Sequence, residues 1–364
     1  MSTRTHGGNP WKLMHEQRVA KERILDFSLD INPLGFPDAV RAGIADHVDE
    51  IGRYPDPDAM ALREAIAAHH HVPYEAVVPG NGSAELITLV TRLLARVAVI
   101  VPTFTEYAWA AQQAGATVAS HQLEEARGFQ PEFSLQDWEE RTRNADGLFL
   151  CNPNNPTGVA LPKDRVLWFA DRCRANGCLL VVDEAYVEFT DHPQDVTVLP
   201  EVSQRDNLVV LRSLTKSFAV PGLRLGYLAA PPALAARLRA MQQPWPLNAF
   251  ALAVGVSLLD QEDYLARSRQ LMRELRDEFQ QAIAAIPGLR PFPTAVNFSL
   301  CKIESAAITS SHVTQRLAGQ GLLIRDCTSF PGLEPERYLR LAMRMPEENR
   351  RLFRALREVL GDGG

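Results

Sequence analysis

The chain has 364 residues, 46% hydrophobic and 23% charged, an ordinary globular composition with room for one large domain and one smaller one. Its formal net charge of −6 argues against nucleic acid or an anionic membrane as a general partner, so any anionic ligand must be held by local arginines and helix N-termini. No apolar run approaches the roughly 20 residues that span a bilayer, and the N-terminal stretch MSTRTHGGNPWKLMHEQ has no signal-peptide apolar core.

Five cysteines (Cys151, Cys173, Cys178, Cys301 and Cys327) show no C-x-x-C spacing. The expectation is reduced thiols in a cytoplasmic protein, without a disulfide framework or a structural zinc. Residues 1–30 read as an arm that passes through the proline-rich DINPLGFP (Asp30–Pro37) into a large domain, residues 31–245. Strands are expected at Ala95–Pro102, at ATVASHQL, and over Asp146–Pro153, Gly177–Tyr186, Asn207–Leu214 and Leu223–Ala230, with a helix over Thr105–Gly115. The middle runs are continuously apolar, as in strands buried on both faces. Alternation of strand and helix predicts an α/β domain with a mostly parallel sheet sandwiched by helices. From Pro232 helices dominate, including the amphipathic EDYLARSRQLMRELRDEFQQAIAAI. Shorter elements follow (AVNFSLCKI, a helix near Ser311–Ala318, GLLIRDC, YLRLAMR and a helix from Glu347), predicting a smaller α+β domain over residues 246–364.

Ligands of open parallel sheets bind beyond the carboxyl ends of the strands, so polar residues just after the apolar runs are the candidates. PGNGSAEL (Pro79–Leu86) places Gly82 and Ser83 before a helix, a pattern that suits a phosphate and equally suits a capped turn without a ligand. CNPNNPTG (Cys151–Gly158) is a turn by composition, yet its asparagines put amides at strand tips. Asp183 ends an apolar run, which is costly unless a cation meets it, and Tyr186 follows three residues later. Lys216 lies in the serine- and threonine-rich turn of VVLRSLTKSFAVPGLRLGYL, with Ser213 and Thr215 close by and Arg224 downstream. The ordered set suits pyridoxal 5′-phosphate (PLP). That cofactor needs a lysine for a Schiff base, a carboxylate against its pyridinium nitrogen, donors to its ring oxygen and a cationic phosphate cup.

The order Gly82-Ser83, Asn155, Asp183, Tyr186, Ser213, Lys216, Arg224 resembles the fold-type I PLP enzymes of the aspartate aminotransferase superfamily over nearly the whole chain. The resemblance implies Lys216 as the Schiff-base lysine, Asp183 as the pyridinium partner, and Asn155 and Tyr186 at the ring oxygen. It implies Ser213, Thr215, Arg224 and the Gly82-Ser83 turn at the phosphate, with Phe104 of PTFTEY stacked on the ring. Tyr54 of RYPDP matches a tyrosine that reaches the cofactor phosphate of the other subunit, which implies a homodimer with shared sites.

Within the superfamily, RYPDP, PTFTEY, NPNNPTG and AVPGLRLGY are similar to the histidinol-phosphate aminotransferase group. HGGN (His6–Asn9), DFSLDINPLG and MQQPWPLNAFA resemble the threonine-phosphate decarboxylase family of cobalamin biosynthesis, with Asp30 at a position often occupied by asparagine. That likeness implies a carboxy-lyase that takes L-threonine O-3-phosphate to 1-amino-2-propanol O-phosphate and CO2. It also implies substrate contacts from His6, Gly7, Asn32, Asn155, Arg325 and Arg340, with Arg344 a weaker third arginine. A histidinol-phosphate aminotransferase and a decarboxylase of O-phosphoserine are the other readings, since one methyl group is worth only about 1–3 kcal/mol in a pocket.

Overall fold

The computed structural model describes residues 7–18 and 20–361. In chain order its strands are β1 (Leu25–Asp26), β2 (Val77–Asn81), β3 (Arg96–Val101), β4 (Thr117–Gln122), β5 (Gly147–Cys151), β6 (Leu179–Asp183), β7 (Leu208–Ser213), β8 (Leu225–Ala229), β9 (Leu289–Pro291), β10 (Phe298–Ile303), β11 (Leu322–Leu323), β12 (Arg325–Asp326) and β13 (Tyr338–Ala342). The apolar runs of the first two-thirds pair into one seven-stranded sheet, ordered β2-β8-β7-β6-β5-β3-β4. Strands β3 to β7 are parallel, and β8 runs antiparallel to both β7 and β2.

Side chains of a strand alternate between faces, so a sheet covered on both sides needs apolar residues at consecutive positions. In β7, Leu208 and Val210 join one core layer while Val209 and Leu211 join the other. In β6, Leu180 and Val182 divide from Val181 in the same way. Strand β2 differs from the sequence expectation, which reads its Pro79-Gly80-Asn81 as a turn. Proline is tolerated there because β2 is an edge strand with a neighbour on one side only.

A second sheet, β12-β13-β10-β9, is antiparallel. It packs on the long helix Glu262–Ala284, whose Leu265, Met272, Leu275, Phe279 and Ile283 recur at helical spacing, and on the helix Pro346–Gly361. The helix Ala249–Leu259 rests on the helices Asp38–Asp46 and Met60–His70 and shares the core of the large sheet, so that core draws on residues beyond 245. No helix among the described residues is long and apolar enough to cross a membrane.

Two of the links that fasten the sheets to each other differ in kind. On one side, β1 pairs with β11, and the fully buried Phe27 donates its N–H to the Leu323 carbonyl (2.7 Å) while its own carbonyl accepts from Ala342 N–H (2.8 Å). A few residues on, Asn32 N–H reaches the Lys216 carbonyl at 3.0 Å, so residues 28–31 are stretched from the small sheet to the large one. On the other side, Glu125, just past β4, pairs with Arg290 and with Lys302 at 2.8 Å and accepts the Tyr338 hydroxyl at 2.6 Å.

Phe27→Ala should therefore lower unfolding stability by about 3–5 kcal/mol, the usual cost of emptying a core phenylalanine site. Because Phe27 anchors the stretch 28–31, amide hydrogen exchange there should rise more than in β6 or β7. Unchanged exchange in that stretch would show that Phe27 does not position it.

Candidate functional site

The carboxyl ends of β3, β5, β6 and β7 open onto a cavity of about 520 Å³. Residues 28–30, together with Arg325 of β12 and Arg340 of β13, line it as well. Lys216 sits one residue short of the end of a single helical turn, Leu214–Ser217, that follows β7 directly. The turn lifts its amine into the cavity, where Nζ pairs with Asp30 and lies 5.8 Å from the centre of the Tyr186 ring.

Asp183 is the last residue of β6 and is 3% exposed. It accepts the Tyr107 hydroxyl at 2.8 Å on Oδ2 and the Ala185 N–H at 3.1 Å on Oδ1. Among the described residues no cation lies within ion-pair distance of it. Burial pushes its carboxyl up to about 6, only partly countered by these two hydrogen bonds. A carboxylate buried in this way, facing a cavity and braced on one oxygen by a tyrosine, fits a pyridinium nitrogen as its counter-ion.

The phosphate end is equally specific. Gly82 opens the helix Gly82–Thr91 at φ +72°, and a Cβ there would stand 2.6 Å from Arg224 Nη2. Glycine lets the guanidinium lie against the first turn, so the positive end of the helix and a formal cation meet at one spot. Ser83, Ser213 and Thr215 line the same end, the last two with hydroxyls 2.8 Å apart. Phe104 lines the cavity at the end of β3. Of the asparagines after β5, Asn152 bonds the backbone of Leu161, and Asn154 bonds Pro102 and Thr157. Asn155 alone of the three lines the cavity, where its Oδ1 accepts from Arg340 Nη1 at 2.6 Å.

Strand alternation accounts for a buried ion pair behind the site. Ser213 faces the cavity, so Arg212 points to the opposite face. There it meets Glu184 at 2.9 Å and Glu188 at 2.7 Å. The neighbours Asp183 and Glu184 thus have opposite tasks, one toward the cavity and one bracing β7 against β6.

On the small-sheet side, Arg325 and Arg340 are directly opposed across β12 and β13, and both line the cavity. Arg344 does not; it pairs with Glu348 at 2.9 Å. Gly7 lines the cavity, and His6 lies outside the described residues. Asn32, expected at a ligand phosphate, is turned into the protein instead. It is 1% exposed, and its amide donates to the Ser217 carbonyl (2.8 Å) and to Ser268 Oγ (2.7 Å), which fixes the arm to the lysine turn. Tyr54 is 79% exposed, stacks on Trp245 at 4.4 Å between centroids, and does not line this chain's cavity.

Tyr107 and Asp30 are among the cavity residues that escape the sequence reading. Tyr107 lies one helical turn beyond Phe104 in PTFTEY, so the spacing could have placed it on the same side. Asp30 carries a local hint only, a carboxylate where the related signature has an amide. Its partners lie far along the chain: Lys216, Tyr186 (2.5 Å) and Arg340 (2.8 Å).

Residues 23–356 match the sequence profile of the family described as aminotransferase class I and II. The chain is 39% identical to the threonine-phosphate decarboxylase of Salmonella typhimurium over 98% of its own length and 96% of that protein's. Among solved structures, the histidinol-phosphate aminotransferase of Clostridium acetobutylicum superposes with a TM-score of 0.86 at 29% identity, covering 93% of this chain and 100% of that one. The L-threonine-O-3-phosphate decarboxylase of Porphyromonas gingivalis superposes with a TM-score of 0.81 at 25% identity, covering 92% of this chain and 99% of that one.

The raised Asp183 carboxyl gives a pH test. Above about 6 the carboxylate is ionised and ready to pair with a pyridinium; below it the proton removes that partner. Affinity of the cofactor-free protein for PLP, followed by equilibrium dialysis, should fall as pH drops through this value. Asp183→Asn should weaken binding at pH 8 by about 1.5–3 kcal/mol, the worth of a charge-assisted hydrogen bond, and should lose the step near this value, keeping only the pH dependence of the cofactor's own groups and of the Lys216 amine. A variant with wild-type affinity and pH profile would remove Asp183 from this role.

Proposed function

The chain belongs to the class I and II aminotransferase family, and from that premise we propose that it is a PLP-dependent threonine-phosphate decarboxylase. It converts L-threonine O-3-phosphate to (R)-1-amino-2-propanol O-2-phosphate and CO2, for the nucleotide-loop linker of cobalamin. The observation that carries this reading is the pair Arg325 and Arg340, opposed on adjacent strands and facing the cavity that holds Lys216. A substrate with two anionic ends, a carboxylate and a phosphate, suits two guanidiniums set in this way. The likeness to the Salmonella enzyme along nearly the whole chain supports the same substrate class.

PLP, when bound, supplies an electron sink for the pair released at the substrate's Cα. Lys216 would hold the cofactor covalently and Asp183 its pyridinium nitrogen. Asn155 and Tyr186 would meet the ring oxygen, Phe104 would flank the ring, and Ser213, Thr215, Arg224 and the Gly82-Ser83 turn would bind the phosphate. Arg340, braced by Asn155, takes the substrate carboxylate, and Arg325 takes the substrate phosphate. Fixing both anions decides which bond to Cα lies along the axis from which electrons can leave. Here that bond is the one to the carboxylate, so CO2 departs and the vacated position on Cα gains a proton, which Lys216 Nζ, in the same cavity, would deliver. The protein acts as a cytoplasmic homodimer. Tyr54 and Trp245, with the exposed Val48, Ile51 and Met60, form an apolar surface that suits a second copy, through which Tyr54 would reach the other subunit's cofactor phosphate.

A single turnover with O-phosphothreonine and no keto acid should release one CO2 per site without converting the cofactor to its amine form. Accumulation of pyridoxamine phosphate with no CO2 would return the chain to the histidinol-phosphate aminotransferases. Shared sites have a separate test. Inactive Tyr54→Ala and Lys216→Ala subunits, mixed under conditions of proven exchange, should regain activity, because one hybrid site contains both residues. No recovery would mean that each site is built within one chain.

A further inference from the structure

Asp30 is a cavity carboxylate that the reading above leaves without a task. It is 3% exposed. Its Oδ1 meets Lys216 Nζ, and its Oδ2 meets Arg340 Nη1 at 2.8 Å and the Tyr186 hydroxyl at 2.5 Å. Arg340 also donates to Asn155 Oδ1 (2.6 Å) and to the Ser28 carbonyl (2.9 Å). The guanidinium assigned to the ligand's carboxylate is thus already matched by a carboxylate of the chain itself. Its neighbour is not: Arg325 donates from Nη2 to Ser329 Oγ (2.8 Å), and among the described residues it has no ion-pair partner.

We propose that Asp30 is a built-in competitor for the ligand carboxylate, which reaches Arg340 only by displacing it, so that the cavity disfavours carboxylates lacking a second anion for Arg325. Trading one carboxylate for another on the same guanidinium brings little net gain, and it leaves Asp30 buried with fewer partners. A carboxylate with nothing else to offer therefore binds weakly. A ligand that also carries a phosphate gains at Arg325, where no carboxylate is displaced. Burial raises the Asp30 carboxyl, but the charges of Arg340 and Lys216 and the hydrogen bonds from Lys216 and Tyr186 outweigh it and hold the group well below the usual carboxylate range. The competitor therefore carries a full charge at neutral pH. Asparagine, which the related signature often has at this position, would occupy the same space without that charge.

The inference rests on the assignment of Arg340 to the ligand carboxylate, and not on which bond of the substrate breaks. Three amine-free probes test it by calorimetry on the holoenzyme: propionate, which has one carboxylate and no second anion, inorganic phosphate, and 3-phosphonopropionate. Asp30→Asn should bind propionate and 3-phosphonopropionate about tenfold or more tighter than wild type, the scale of one charge-assisted contact regained. Inorganic phosphate should change far less. Equal tightening of all three would mean a general field effect and would overturn direct competition, as would unchanged or weaker propionate binding. Asp30→Ser, with thermal melting of both variants, guards against a fold defect and should show the same ordering. Arg340→Gln separates the two claims. If it weakens 3-phosphonopropionate while Asp30→Asn gains nothing, the competitor is refuted and Arg340 keeps its role. If it leaves all binding unchanged, the assignment of Arg340 fails and the inference with it.

Discussion

The buried carboxylate of Asp30 ties together three stretches that lie far apart in the chain. Lys216 belongs to the turn after a strand of the large sheet, Arg340 to a strand of the small sheet, and Asp30 to the segment stretched between them. Two cations of this kind would repel each other where burial weakens the screening of charge. One carboxylate bridging both, with Tyr186 donating to the same group, lets them stand close. The spacing of the cavity walls follows from this contact. So does the burial of Asn32, whose amide fixes the segment to the lysine turn two residues later.

The cofactor side is legible in the sequence because each group stands where an apolar run stops. Asp183 ends β6, Lys216 follows β7 by three residues, and Asn155 follows β5 by four. A parallel sheet brings such strand ends together by its topology, so local patterns suffice to find them. Gly82 is legible for a related reason: glycine beside serine before a helix announces a turn that side chains would obstruct.

What stays hidden depends on pairing across long separations. Asp30 meets Lys216 at a separation of 186 residues, and no periodicity encodes that meeting. Asn32 and Asp30 sit two residues apart in one motif, yet one is turned into the protein and the other into the cavity. The local pattern treats both as polar residues of a proline-rich stretch. Strand β2 is hidden because proline and glycine read as a turn, and only its position at the sheet edge makes a strand of them. Arg212 is a partial case. A charge inside VVLRSL must find a partner if the run is buried, but alternation alone does not reveal that Glu184 and Glu188 are the partners.

The two fastenings between the sheets differ in kind. The one at Phe27 is apolar and backed by backbone hydrogen bonds, whereas the one at Glu125 is a cluster of charges with Arg290, Lys302 and the Tyr338 hydroxyl. Dissolved salt scarcely affects the first and screens the second, over a distance of about 8 Å at physiological ionic strength. The first is therefore an apolar attachment and the second an ionic one. Rising ionic strength weakens the contact at Glu125 and leaves the one at Phe27 nearly unchanged, so the two attachments of the small sheet respond differently to the electrolyte around the protein.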